Sequence, residues 1–140
     1  MTTEPLADPP IADVVFRAAL QARAIAGHGN SITVQGTSMW PMLQPDDLAM
    51  LDLRQHGFRP GEIVVYRSGE RLMVHRVLSS RAGRLVTAGD SRPLIDATVP
   101  TEAILGRVVE VQTADGAVDL RSTTAQALGR RVGESIRTCT

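Results

Sequence analysis

The chain has 140 residues, which is the size of a single domain. Hydrophobic residues make up 43% of it, enough to build a core and to exclude wholesale disorder. Because 15 basic residues balance 15 acidic ones, the composition argues against bulk electrostatic capture of nucleic acid or of an anionic membrane. All 15 basic residues are arginine, so any reaction that needs a deprotonated lysine is excluded.

Residues 1–30 are predicted to form a polar tail followed by an amphipathic helix. Apolar residues recur there at steps of three and four positions: Ile11, Val14, Val15, Ala18, Ala19, Ala22 and Ile25. This helix either packs on its own domain or docks on a partner or a membrane surface. Asp13, Arg17 and Arg23 interrupt the apolar run, so we expect no transmembrane anchor and no secretory signal. A soluble, cytoplasmic protein is the resulting expectation.

Residues 31–120 are predicted to form a β-rich domain, because short β-branched runs alternate with Gly, Pro and Asp turns. The predicted strands are Ile32–Val34, Leu48–Asp52, Ile63–Tyr66, Leu72–Leu78, Leu85–Ala88, Ile104–Val111 and Val118–Leu120. Most connections are short, which favours antiparallel hairpins. Residues 121–140 are predicted to form a C-terminal helix and tail, with a stripe of Ala125, Leu128, Val132 and Ile136. The predicted fold class is mainly β, a twisted antiparallel β assembly with an N-terminal and a C-terminal helix.

The loop after the first predicted strand places a serine where a nucleophile would be useful. Ser38 follows Gly36 and Thr37, and Pro41 and Pro45 stiffen the residues after it. A nucleophilic serine needs a rigid, exposed position beside backbone N–H groups that can receive an oxyanion. A serine in a turn is nevertheless structural far more often than catalytic, so this feature decides nothing alone.

A serine nucleophile also needs a base, and His75 in the predicted strand Leu72–Leu78 is the best candidate. A lone histidine in a strand is usually a packing or surface residue. In a chain without lysine, however, histidine is the side chain that exchanges protons near neutral pH. His28 and His56 lie in glycine-containing polar stretches and are poorer candidates.

Two carboxylates, Asp90 and Asp96, follow the predicted strand Leu85–Ala88. A carboxylate that accepts the far N–H of an imidazole fixes its tautomer and stabilises the imidazolium. The alternative is that both carboxylates form ordinary turn hydrogen bonds. The residues alone leave both interpretations open.

Taken in order, these stretches resemble the superfamily of type I signal peptidases and LexA-type self-cleaving repressors, which are serine proteases. The resemblance covers roughly residues 34–109. Its motifs are Ser38-Met39-Trp40-Pro41 with Asp47, Gly61-Glu62-Ile63-Val64-Val65, Gly89-Asp90, and Ile104-Leu105-Gly106-Arg107-Val108. The implied fold is a twisted, largely antiparallel β assembly with appended helices.

The resemblance also implies roles for individual residues. Most bacterial members and the repressors use a serine–lysine dyad, and here His75 stands in the position of the lysine, as in the archaeal and endoplasmic-reticulum branch. Ser38 is then the nucleophile, His75 the base, and Asp96, six residues after Asp90, the third catalytic member. Asp90 has a supporting role. Many signal peptidases supply an oxyanion hydroxyl from a serine two positions before the nucleophile. Gly36 stands there in this chain, and the adjacent Thr37 is a candidate supporting residue at the oxyanion.

The resulting hypothesis is a soluble serine endopeptidase that cleaves a peptide or precursor bound in an extended form, with removal of a leader peptide as a candidate reaction. We expect no cofactor, no metal and no nucleic acid partner, while the terminal helices are candidates for contact with a partner or a membrane surface. Two alternatives remain open. One is a peptide-binding or regulatory module of the same fold that cleaves weakly, which Gly36 motivates. The other is self-processing, because Ala26-Gly27 resembles the bond that the repressors cut.

Overall fold

The computed structural model describes residues 15, 18–19, 30–54, 57–69, 71–91 and 95–139. Its elements in chain order are β1 (Ser31–Thr33), β2 (Leu48–Asp52), β3 (Ile63–Ser68), β4 (Arg71–Arg81), β5 (Arg84–Ala88), β6 (Val99–Pro100), a 3-10 helix (Thr101–Ala103), β7 (Ile104–Thr113), β8 (Gly116–Asp119) and α1 (Thr123–Cys139). The bounds of seven strands and of α1 lie within a few residues of those predicted from the sequence.

All eight strands belong to one antiparallel sheet, in the order β1-β2-β7-β3-β4-β5-β6, with β8 also paired to β7. Register shifts interrupt the β2–β7, β3–β7 and β4–β5 pairings. Irregularities of this kind bend a strand and increase its twist. The predicted mainly β, antiparallel fold is confirmed.

The sheet carries apolar side chains on both faces, which is why β3 is a continuous apolar run rather than an alternating one. Ile63 and Val65 belong to one buried cluster, whereas Val64 and Tyr66 belong to another. The first cluster also contains Met39 of the β1–β2 loop. That loop is therefore packed onto the sheet and cannot swing freely in solvent.

The strand that the sequence did not predict is β6. It has two residues, Val99 and Pro100, and pairs with Arg84 and Leu85 of β5. A two-residue strand that includes a proline shows no alternating pattern, and proline is tolerated only at such edge positions. Nothing in the local sequence distinguishes it from a loop.

Helix α1 approaches the sheet through a contact between two glycines. A Cβ atom on Gly129 would lie 2.5 Å from the carbonyl oxygen of Gly61, and one on Gly61 would lie 2.6 Å from the backbone nitrogen of Arg130. Real Cβ atoms do not approach other atoms so closely, so both positions require glycine for steric reasons. The backbone of the helix thus rests directly on the turn before β3.

This close approach changes which side of α1 is buried. The sequence pattern placed Leu128 in the buried stripe, and that prediction is wrong, because Leu128 is 48% exposed. Gly129 and Gly133 are buried, and Ile136 of the predicted stripe is buried as predicted. An apolar pattern cannot anticipate a helix face made of glycine, since glycine contributes no apolar side chain to the pattern.

Of the predicted N-terminal helix, the structure describes only Val15, Ala18 and Ala19, which are helical and exposed. The other residues of that predicted helix, and with them the Ala26-Gly27 bond, lie outside the described residues. Within the described part of the chain, no helix combines the length and apolar character needed to cross a membrane.

Candidate active site

Ser38 lies in the loop between β1 and β2, and buried side chains hold that loop in place. Met39 is 2% exposed and Leu43 is 0% exposed, and the N–H of Leu43 donates to the carbonyl of Met39 at 2.9 Å. The carboxylate of Asp47 accepts the N–H of Gln44 at 2.9 Å and closes the next turn. These anchors leave Ser38 half-buried at the edge of the loop.

His75 lies in β4, opposite Val64 of β3, with a side chain that is 7% exposed. Its Nε2 lies 3.2 Å from Oγ of Ser38. The two residues are 37 positions apart in the chain. The packing of the β1–β2 loop on the sheet, described above, is what brings them together.

Asp96 lies on the other side of the imidazole. Its Oδ2 is 2.5 Å from Nδ1 of His75. The same oxygen accepts hydrogen bonds from the hydroxyls of Tyr66 at 3.0 Å and Thr87 at 2.9 Å. The backbone N–H of Asp96 also donates to the carbonyl of Thr87 at 2.9 Å, which fixes the carboxylate to β5. With the proton of the imidazole on Nδ1, the lone pair of Nε2 faces Ser38.

The hydrogen-bond network favours an ionised carboxylate at Asp96. Burial raises the pKa of Asp96, but the hydrogen bond and charge of His75, with the hydroxyls of Thr87 and Tyr66, outweigh burial and leave that pKa below its ordinary value. Burial likewise raises the pKa of Tyr66 far above its ordinary value, so its hydroxyl keeps its proton and remains a donor. A negative charge therefore lies against Nδ1 throughout the neutral pH range.

The backbone at Gly89 lies against both Ser38 and His75. A Cβ atom on Gly89 would lie 2.7 Å from the carbonyl oxygen of Ser38, 3.0 Å from its Cβ and 3.3 Å from Nε2 of His75. Any larger residue would push the serine and the imidazole away. In the sequence Gly89 is visible only as part of a Gly-Asp motif, and that motif does not predict this steric role.

Asp90 forms a buried ion pair with Arg76. Nε and Nη2 of Arg76 lie 2.8 and 2.7 Å from the two carboxylate oxygens, and the two side chains are 2% and 5% exposed. Nη1 of Arg76 donates to the carbonyl of Gly61 at 2.7 Å. Successive residues of a strand point to opposite faces, so Arg76 braces β4 from behind His75. Asp90 thus binds Arg76, a residue that the sequence motifs did not indicate.

Thr37, the other predicted supporting residue, is exposed beside Ser38. Its carbonyl accepts the N–H of Trp40 at 3.0 Å and the hydroxyl of Ser91 at 2.7 Å. The N–H of Ser91 donates to the carbonyl of Ser38 at 2.9 Å. The carbonyl oxygen of Thr37 therefore accepts two hydrogen bonds. Gly36, just before it, has a φ of 77°, in the left-handed region that favours glycine.

The structure thus brings Ser38, His75 and Asp96 into one chain of hydrogen bonds. His28 and His56 lie outside the described residues. Tyr66 and Thr87 were not predicted as site residues, and their hydroxyls lie 2.8 Å apart beside Asp96. Both belong to strands identified by their apolar character, and only the pairing of those strands shows that the hydroxyls converge.

Comparison with known proteins identifies the family. A family model described as Peptidase S24-like matches residues 10–109. No curated protein and no solved structure matched the chain. The matched span covers more than half of the chain and contains the β-rich region with Ser38, His75 and Asp96. The chain therefore belongs to the Peptidase S24-like family, whose fold is that of serine peptidases and self-cleaving domains.

Proposed function

We propose that this protein is a serine endopeptidase with Ser38 as nucleophile, His75 as general base and Asp96 as the residue that orients the base. The observation that carries the proposal is the pair of contacts on the imidazole, 3.2 Å from Nε2 to Oγ of Ser38 and 2.5 Å from Nδ1 to Asp96. A nucleophile, a base and a carboxylate in hydrogen-bonded sequence are the arrangement that acyl transfer uses.

The reaction follows from these contacts. Oγ of Ser38 attacks the carbonyl carbon of a peptide bond while Nε2 of His75 takes the hydroxyl proton. The ionised Asp96 stabilises the imidazolium, which then protonates the leaving amine as the C–N bond breaks. Water attacks the acyl-enzyme with His75 again as base, releasing the carboxylate and restoring Ser38. A general base of this kind contributes about 10²–10⁴-fold to the rate.

The backbone N–H of Ser38 is the proposed oxyanion donor. It belongs to the same planar peptide unit as the carbonyl of Thr37, and in a trans peptide the two point in opposite directions. Because Ser91 and Trp40 both donate to that carbonyl, they also fix the direction of the N–H. One such donor contributes about 10²–10³-fold.

The sheet offers an edge on which a peptide substrate would bind. β4 pairs with β3 from Arg71 to Arg76, but with β5 only from Arg76 onward. Among the described residues, the segment from Arg71 to His75 therefore has no strand partner on its β5 side. A peptide that adds there as an extended strand presents its backbone to Ser38. A cavity of about 330 Å³, lined in part by Met73 and Asp96, borders the same segment and has room for a substrate side chain.

We infer that the protein uses histidine in place of lysine, as the archaeal and endoplasmic-reticulum branch does. The absence of lysine from the sequence supports this assignment, because the serine–lysine dyad cannot be built from this chain. The proposed substrate is a peptide or precursor protein, with removal of a leader as the reaction to test.

The test is covalent labelling with a fluorophosphonate probe, followed by intact-mass measurement. We expect one adduct on the wild-type protein and none on Ser38→Ala. Ser80→Ala removes an exposed hydroxyl elsewhere in β4 and should label like wild type. A folded wild-type protein that forms no adduct would contradict the peptidase proposal.

That negative result would favour the second candidate, a peptide-binding or regulatory module of the same fold. The observation behind it is Gly36, which has no side chain to add a second oxyanion donor. Self-processing at Ala26-Gly27 is tested separately by the intact mass of the wild-type chain after prolonged incubation. An unchanged mass rules it out.

A further inference from the structure

A second, larger cavity lies apart from the Ser38–His75–Asp96 cluster. It has a volume of about 630 Å³ and lies between the turn before β3, the β7–β8 pair and the start of α1. Apolar side chains form much of its surface, including Met42, Ile63, Val108, Val118, Leu120 and Leu128. Val118 and Leu128 are 47% and 48% exposed, and both line this one cavity. We call this site the arginine cavity, because arginine side chains line it.

The arginine cavity concentrates positive charge in a protein with a net charge of zero. Six arginines and two acidic residues line it, and Asp90 and Asp119 pair with two of those arginines, which leaves an excess of two positive charges. The rest of the chain must carry the opposite excess, because the total is zero. Such an asymmetry attracts an anionic ligand to this one site.

Two of the six arginines are available to a ligand. Four are paired with carboxylates: Arg54 with Asp52, Arg76 with Asp90, Arg107 with Glu62, and Arg121 with Asp119. The guanidinium groups of Arg59 and Arg130 have no carboxylate partner within the described part of the chain. Both flank the contact between Gly61 and Gly129, so they lie at the same end of the cavity. Guanidinium groups bind carboxylates through paired, charge-assisted hydrogen bonds.

We propose that the arginine cavity is an exosite for an acidic, partly apolar peptide segment. Arg59 and Arg130 bind carboxylates of the segment, and the aliphatic surface around Val118 and Leu128 receives its apolar side chains. The assignment of this segment to the substrate rests on the proposed peptidase function. Binding itself does not require a reactive Ser38.

The position of the cavity suits a substrate that also reaches the cleavage site. Met42, which lines the cavity, belongs to the same β1–β2 loop as Ser38. Arg76 lines it as well and is adjacent in sequence to His75, on the opposite face of β4. One chain can therefore occupy the cavity with one segment while another segment lies at Ser38.

The lining favours a peptide over a nucleic acid. None of the described lining residues is aromatic, so nothing there would stack on a base. Asp52 and Glu62 would repel a phosphate backbone, whereas a peptide can place its few carboxylates away from them.

The apolar stripe of the chain's own predicted N-terminal helix is a third candidate for the occupant of the cavity. Its described residues Val15, Ala18 and Ala19 are exposed, which favours a separate chain as the occupant.

The experiment measures binding by fluorescence anisotropy. The protein is the full chain carrying Ser38→Ala, and the probe is a labelled peptide of about twelve residues rich in glutamate and leucine, of which only a short segment would enter the cavity. We expect saturable binding that weakens as salt is raised. Arg59→Gln with Arg130→Gln should weaken it about tenfold, the loss expected for two exposed ionic contacts. Leu128→Glu, at an exposed position, should also weaken it.

Two controls accompany these variants. Arg81→Gln, an exposed arginine outside the cavity, should bind the probe like the parent protein. The same peptide with glutamine in place of glutamate should bind at least tenfold more weakly. Equal affinity of the parent and the Arg59→Gln, Arg130→Gln variant would overturn the proposal.

Two further outcomes would also overturn it. A single-stranded oligonucleotide that displaces the peptide and binds more tightly would assign the cavity to nucleic acid. A several-fold gain in peptide affinity on Glu4→Gln, Asp8→Asn and Asp13→Asn in the full chain would assign it to the chain's own N-terminal segment. If the fluorophosphonate failed to label Ser38, that result would contradict only the peptidase proposal. A positive result for peptide binding at the arginine cavity would still stand.

Discussion

Gly89→Ala tests whether the close packing around Ser38 sets the geometry of the proposed dyad. The added Cβ atom would lie 2.7 Å from the carbonyl oxygen of Ser38, whereas ordinary contacts begin at 3.4 Å. The strand end and the Ser38 loop must therefore separate by roughly 0.7 Å, since backbone lies on both sides of the contact. Overpacking of this kind costs about 1–3 kcal/mol of folding stability.

The effect on reactivity should be larger than the effect on stability. Oγ of Ser38 already lies 3.2 Å from Nε2 of His75, at the long end of the hydrogen-bond range. A further displacement breaks that contact and removes the base from the serine. We expect the rate of fluorophosphonate labelling to fall by about 10²-fold, the loss typical of an ångström-scale misplacement.

Gly133→Ala is the matched control, since it adds the same methyl group to another buried glycine. The nearest atom to its Cβ would be the carbonyl oxygen of Val77 at 3.6 Å, an ordinary contact. Gly133 lies inside α1, where alanine is favoured over glycine by up to about 1 kcal/mol. It should therefore raise the melting temperature and leave labelling unchanged. If Gly89→Ala labelled as fast as Gly133→Ala, the close packing at Ser38 would not control reactivity.

Three further predictions follow from the hydrogen-bond network. Tyr66→Phe removes one of the three side-chain donors described at Asp96. Labelling of Ser38 should therefore slow by about tenfold, which corresponds to the loss of roughly one hydrogen bond. The circular dichroism spectrum of the variant should match that of wild type. Folding lowers the pKa of Asp96, so its contribution to stability is present above its unfolded value of about 4 and is lost as the pH falls further. Asp96→Asn should therefore show a shallower loss of stability in acid urea titrations. Asp90→Asn leaves the buried guanidinium of Arg76 without its countercharge and should cost about 3–5 kcal/mol in urea unfolding. Asp119→Asn, in an exposed pair, should leave the urea midpoint almost unchanged.

The elements that dominate this fold were predictable because each has a strong local signal. The strand Leu48–Asp52 has the same bounds in the prediction and in the structure, and the turn residues 45–47 precede it directly. In α1, Ile136 of the predicted stripe is buried, whereas the burial of Gly129 was not predictable, because it depends on the backbone contact with Gly61. Such a contact joins distant parts of the chain and has no apolar signature.

The candidate site also has a part that could be predicted from the sequence and a part that could not. Ser38, His75 and Asp96 were selected by their chemistry and by the order of motifs, and the structure brings these three side chains together. The hydroxyls of Tyr66 and Thr87 were missed because their convergence on Asp96 depends on how β3, β4 and β5 pair. Strand pairing is a property of the whole sheet, which local sequence patterns do not encode.

The most direct test of the Ser38–His75 relay is the second-order rate constant for modification of Ser38, compared between wild type and His75→Ala. If the imidazole accepts the proton of the serine, the variant should remain folded and react about 10²–10⁴-fold more slowly. Equal rate constants in the two proteins would show that His75 does not activate Ser38, and would contradict the proposed mechanism.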